Sequence, residues 1–122
     1  MQTIYLDISH KGVIPKINAK QEEVGRKFLA VLTDGGVPFN IPADAVLSVG
    51  YDGDSGKGTY SEIDNKTAVS VDKNKITVEL IAQMLKCAGR GVLTILINSA
   101  DGQQIGLWNI DYSVEMVPGL HS

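Results

Sequence analysis

The chain reads as short alternating stretches broken by Gly, Asp, Asn and Pro, the pattern of strands joined by turns. Ile4, Leu6 and Ile8 alternate with Tyr5, Asp7 and Ser9. A short run, Val13 to Ile17, is interrupted by Pro15, which cannot donate to a ladder and belongs at an edge or a bend. Phe28, Ala30 and Leu32 share one face of the next strand and Leu29 and Val31 the other; with both faces apolar, this strand is expected to be central. Asp34-Gly35-Gly36 supplies a turn, and Val37-Pro38-Phe39 with Ile41-Pro42 a second extended piece. Ala45, Leu47, Val49 and Tyr51 alternate cleanly into a turn-rich stretch, 52–58, expected to be mobile. Val69, Val71, Ile76 and Val78 mark two strands around an Asp72–Lys75 turn.

One helix is expected near 78–88. Thr77 stands as its cap, Glu79 sits in the first turn where the dipole favours an acid, and Leu80, Ile81, Met84, Leu85 and Ala88 fall on one side. Gly89 stands at its C-terminal end. The nearly all-apolar run from Val92 to Ile97 predicts a buried strand, and Ala100-Asp101-Gly102 a hairpin turn. The last strand carries Trp108, Ile110, Tyr112, Val114 and Met116 on one face, and order ends at Pro118-Gly119. The expected fold is therefore mostly β: an antiparallel β-sandwich, Ig-like or jelly-roll-like, with one short α-helix. It occupies residues 1–117 as one domain, with a disordered tail over 118–122.

Composition narrows the function classes. A chain of 122 residues is one domain's worth, and surface scaling lets it bury about two-thirds of its unfolded surface without staples. Its 11 basic and 14 acidic residues leave a net charge of −3, against the basic excess of a nucleic-acid binder. The single cysteine, Cys87, excludes an internal disulfide framework, and no apolar run is long enough to span a membrane. The N-terminus does not have the build of a signal peptide.

No motif supplies chemistry. The DGDSGKG stretch from Asp52 has Gly56, Lys57 and Ile63 where a calcium loop needs an acid or amide, a glycine and a bidentate Glu. Tyr51 and Gly58 stand where a phosphate loop needs Gly and Ser or Thr, and Gly89-Arg90-Gly91 lacks the third glycine of a dinucleotide fingerprint. His10 and His121 lie near the two chain ends, too few for a zinc site, and Cys87 closes a helix end that disfavours thiolate. Asn65-Lys66-Thr67 matches a glycosylation acceptor without an export signal. Lys16, Lys20, Arg26 and Lys27, balanced by Glu22 and Glu23, form a solvated basic cluster. Trp108 and Tyr112, with Tyr51 or Tyr60, are either core residues or a sugar-stacking platform. No cofactor and no enzymatic activity are expected.

Read together, the segments resemble a known family. The opening QTIYLDI is followed by AKQEE before a strand, then by LTDGGVPFNI, then by VELIAQMLKCAGRG leading into VLTILINSADGQQIGLWNIDYSVE. This order is similar to the N-terminal domain of the baseplate upper protein family of phages and prophages of Gram-positive bacteria, over roughly residues 2–116. The resemblance implies a β-sandwich adaptor that docks on the distal tail hub protein and contacts other baseplate proteins. Later segments, absent after Ser122, would trimerise and carry the receptor-binding parts. It implies a virion-tail location, with assembly in the bacterial cytoplasm. The candidate docking surface is the edge strand at Ile14 and Pro15, the loop with Gln21, Glu22 and Arg26, and the piece with Pro38 and Phe39. The alternative is a carbohydrate-binding β-sandwich using Trp108, Tyr112, Tyr51 or Tyr60.

Overall fold

Alternation of buried and exposed positions organises the described residues into ten strands. The computed structural model describes residues 1–9, 12, 14–23, 25–61 and 68–118. The strands are β1 (Gln2–Asp7), β2 (Lys16–Lys20), β3 (Lys27–Asp34), β4 (Val37–Pro38), β5 (Val46–Gly53), β6 (Gly56–Ser61), β7 (Val69–Asp72), β8 (Lys75–Glu79), β9 (Gly89–Asn98) and β10 (Gln104–Glu115). One sheet runs β1-β3-β8-β7, with β4 beside the end of β3; the other runs β2-β10-β9-β5-β6. Their apolar faces meet. Ile4, Leu6, Phe28, Ala30, Leu32, Ile76 and Val78 come from the first sheet, and Leu47, Val49, Leu93, Ile95, Ile97 and Ile110 from the second.

Most strands, the turns and the sandwich agree with the sequence pattern, and β3 is indeed central, between β1 and β8. The stretch 52–58, expected to be mobile, instead carries the end of β5 and the start of β6 in a paired hairpin. Gly35 and Gly36, at φ +60 and +87, make the two-residue turn between β3 and β4 that only residues tolerant of positive φ build easily. The sheets, however, are mixed rather than antiparallel. β1 lies parallel to β3 and β2 parallel to β10. Register patterns fix which face is buried but not strand direction, so alternation carried no information on this point.

The expected helix near 78–88 is replaced by a strand and a single 3₁₀ turn, Ala82–Leu85. Ile76, Thr77 and Val78 are β-branched, and β8 takes them into pairing with both β3 and β7. Thr77 is thus a strand residue, not a cap; Ile81 precedes the turn and makes no capping bond. The remaining residues are too few to sustain an α-helix. The buried set is nevertheless the expected one, with Leu80, Met84 and Leu85 in the core. Gly89 opens β9 at φ +148 instead of closing a helix, and the Asp54 side chain fills the space a Cβ would need.

Candidate functional site

The residues expected to form one docking surface occupy separate places. Ile14 is 51% exposed, ahead of Pro15, whose carbonyl accepts the Asp111 N–H at 2.9 Å and so begins the β2–β10 pairing. Gln21 is not on the surface: it is 2% exposed. Its N–H donates to the Glu115 carbonyl at 2.8 Å, and its Nε2 donates to the Lys86 carbonyl at 3.1 Å. Its Oε1 has no partner among the described residues. Glu22 is exposed, at φ +61, with its N–H on the Leu85 carbonyl at 2.8 Å. Arg26 is half-buried, and its carbonyl accepts the Leu80 N–H at 2.8 Å. These bonds fasten the 21–26 turn to the 3₁₀ turn at one end of the sandwich. Pro38 and Phe39 lie at the other end of β3, eight residues or ~25 Å away. The loop and the β4 piece therefore belong to opposite ends.

The edge that begins at Pro15 is largely closed to backbone pairing. Pro15 and Gln21 bond to β10, so odd residues of β2 face that strand and even ones face away. Gln2 Nε2 donates to the Lys16 carbonyl at 2.6 Å, and Gln2 Oε1 accepts the Asn18 N–H at 3.5 Å. Arg26 Nη2 donates to the Asn18 carbonyl at 2.9 Å. Glu23 closes the row: its Oε1 accepts the Lys20 N–H at 2.9 Å and its own N–H donates to the Lys20 carbonyl at 3.2 Å. Apart from the Lys16 N–H, the outward groups of β2 are thus taken by side chains and by the Glu23 amide, a familiar way of blunting a sheet edge.

At the opposite end, Asp7 ties β1 to the β3–β4 hairpin. Its carboxylate accepts the Thr33 hydroxyl at 2.8 Å, the Gly35 and Gly36 N–H groups at 3.1 and 3.0 Å, and the Ser9 N–H and hydroxyl at 2.9 Å. The Thr33 hydroxyl, ahead of the Gly35 and Gly36 amides and the Ser9 hydroxyl, holds its pKa well below the usual carboxylate range, against a smaller opposing desolvation. Sequence reading passed over Asp7 and Gln2. The only local signal for Asp7 was its neighbour Ser9 together with the Gly-Gly turn that presents two amides.

The four aromatics of the alternative surface are core residues. Trp108 is 6% exposed and donates Nε1–H to the Asp7 carbonyl at 3.2 Å. Tyr60 is buried and donates to the Glu79 carbonyl at 2.7 Å; burial, then the Glu79 charge, push its pKa up. Tyr51 lies 6.3 Å from it, ring centre to ring centre. The buried Tyr112 ring covers the bare backbone of Gly91 and Gly53, and Trp108 covers Gly106. None offers an open face to a sugar.

The surface hollows are shallow and chemically mixed. One, of about 330 Å³, lies between the 21–26 turn and the 3₁₀ turn and includes Glu22, Glu23, Glu79 and Lys86. Another, of about 400 Å³, lies beside β2 and β10 and includes Lys16, Arg90 and Asp111. No group of three His, Cys, Asp or Glu that could hold a metal ion occurs among the described residues. Asp54, from the stretch compared with a calcium loop, accepts the Arg90 N–H at 3.0 Å. His10, His121, the Asn65-Lys66-Thr67 site and residues 119–122 lie outside the described residues.

No family model matches the sequence, and no curated protein matches it at a significant level. Among solved structures, the chain shares its fold with the N-terminal domain of phage TP901-1 ORF48. The two are 15% identical with a TM-score of 0.66, and the match covers 93% of this chain and 97% of that one.

Proposed function

We propose that the chain is a structural domain of a phage or prophage tail, a baseplate adaptor that docks on the distal tail hub protein and links it to the receptor-binding parts. The observation that carries this reading is the fold shared with the N-terminal domain of a phage protein, matched over nearly the whole of both chains. The order of motifs from QTIYLDI to VLTILINSADGQQIGLWNIDYSVE supports it independently. The interior supports it in physical terms: polar side chains at both ends of the sandwich are spent on holding turns in place, as a rigid docking module requires. On this reading the domain converts nothing and works by shape-complementary burial. The protein assembles in the bacterial cytoplasm and resides in the virion tail, and homo-oligomerisation is left to further chain segments. Among the described residues no helix is long and apolar enough to cross a membrane. A carbohydrate-binding module would need rings other than Trp108, Tyr112, Tyr51 and Tyr60, since all four are buried.

The test is a binding measurement against the distal tail protein encoded by the same phage or prophage. Association at or below ~10 μM is expected; no association at that concentration counts against the adaptor reading.

A further inference from the structure

We infer that the outer edge of β1, at Thr3 and Tyr5, accepts an extended segment of another tail protein as an added strand. The identity of that occupant rests on the tail reading above; the openness of the edge does not.

Ile8 donates its N–H to the Thr33 carbonyl at 2.8 Å, continuing the parallel pairing of β1 with β3. Even residues of β1 therefore face β3, and Thr3, Tyr5 and Asp7 point their backbone groups away from it. The Asp7 carbonyl is taken by Trp108 Nε1. Gln2 turns its carboxamide across to β2. Between them, the N–H and C=O groups of Thr3 and Tyr5 have no partner among the described residues, and both residues are exposed, Tyr5 to 72%. On the neighbouring edge of β2, Gln2, Arg26 and Glu23 take every outward group except the Lys16 N–H, so no two consecutive rungs are left there. Backbone pairing on this side of the sandwich is thus directed to one window of two donors and two acceptors, spaced as two rungs of a ladder.

The occupant is a strand from a different chain rather than a second copy. Two β1 strands could pair about a two-fold axis through Ile4 and satisfy the same four groups. Three residues on each side bury far less than the ~1,200 Å² a stable pair needs, and the copies share a net charge of −3. A flexible segment anchored in a larger assembly needs only the added hydrogen bonds, a side chain against the Tyr5 ring, and its other contacts elsewhere.

Thr3→Pro removes an outward N–H and leaves the bonds to β3 untouched, a change that edge strands tolerate. Binding of the wild-type and Thr3→Pro domains to the distal tail protein is measured together with hydrogen exchange across β1 in the wild-type complex. A loss of roughly tenfold or more in affinity, with slowed exchange at Thr3 and Tyr5, is expected. Unchanged affinity of a folded Thr3→Pro, or unaltered exchange at Thr3 and Tyr5, overturns the edge inference while the tail reading stands. In parallel, the isotope-labelled domain is titrated with the peptide Thr-Val-Thr-Val-Thr to ~5 mM, a range that detects millimolar affinity. Shifts centred on the Thr3 and Tyr5 amides are expected; their absence overturns the inference whatever the tail protein does. Peptide shifts without tail-protein binding overturn the tail reading and leave the edge open to strands.

Discussion

Asp7 shows how much one short side chain can organise. The hydrogen bonds its carboxylate accepts from Thr33, Gly35, Gly36 and Ser9 favour the charged form, so its folded-state pKa lies below the ordinary value of about 3.9. A depressed carboxyl contributes stability that is fully present above that ordinary value and is lost progressively as pH falls from there through the depressed folded-state value. Asp7→Asn is therefore expected to unfold at lower denaturant than wild type at neutral pH, with the difference shrinking below about pH 4; urea titrations at pH 7 and pH 3 check this. Gly91 is a second such residue. Tyr112 lies where its Cβ would go, so Gly91→Ala is expected to cost about 1–3 kcal/mol in a urea melt, as overpacking does. Neither role stands out in the sequence, where Asp7 is one acid among 14 acidic residues and Gly91 part of a Gly-Arg-Gly triplet. Gln21 misleads more sharply. In the run Lys20-Gln21-Glu22-Glu23 it looks solvated, yet the carbonyls of Glu115 and Lys86 draw its backbone and side chain inward.

At the scale of elements, side-chain periodicity revealed which faces are buried and little about partners. Alternation placed β5 and β10 with their buried faces as observed, because a two-residue period has one buried solution, while β3 and β9, apolar on both faces in sequence, bury one face fully and the other only in part. The stretch from Ile76 to Leu85 satisfied two periods at once, alternation over 76–78 and helical spacing over 80–85. Pairing on both sides by β3 and β7 decided in favour of the strand. The 3₁₀ turn persists because other segments bond its carbonyls: Ser55 Oγ donates to Met84 at 3.1 Å and the Glu22 N–H to Leu85 at 2.8 Å. Its apolar side chains supply the rest. Leu85→Ala is expected to cost about 2–5 kcal/mol by thermal or urea melting, since Leu85 is fully buried. The sealing of β2 was beyond sequence reading, because Gln2, Arg26 and Glu23 reach it from three separate positions.

For the whole molecule, the reading is that binding is done by backbone edges and turns rather than by a cleft. Trp108 reports on this directly. Its burial predicts weak quenching of its fluorescence by a neutral quencher and no spectral change on adding oligosaccharides; strong quenching would return the aromatic surface to consideration. The parallel pairing of β2 with β10 and the bond from Trp108 to β1 have a further consequence. β2 lies beside β10, with Asn18 bonded to Ser113 across 95 positions, and Asp7 is bonded to Trp108 across 101. Loops that long close late, since their entropy is spent before their contacts form. On the ribosome, the first strands to emerge must wait for the last: until residues 104–115 are synthesised, β2 has no ladder and the Asp7 carbonyl no indole. The domain is thus expected to complete its fold only after nearly all of its chain has left the exit tunnel.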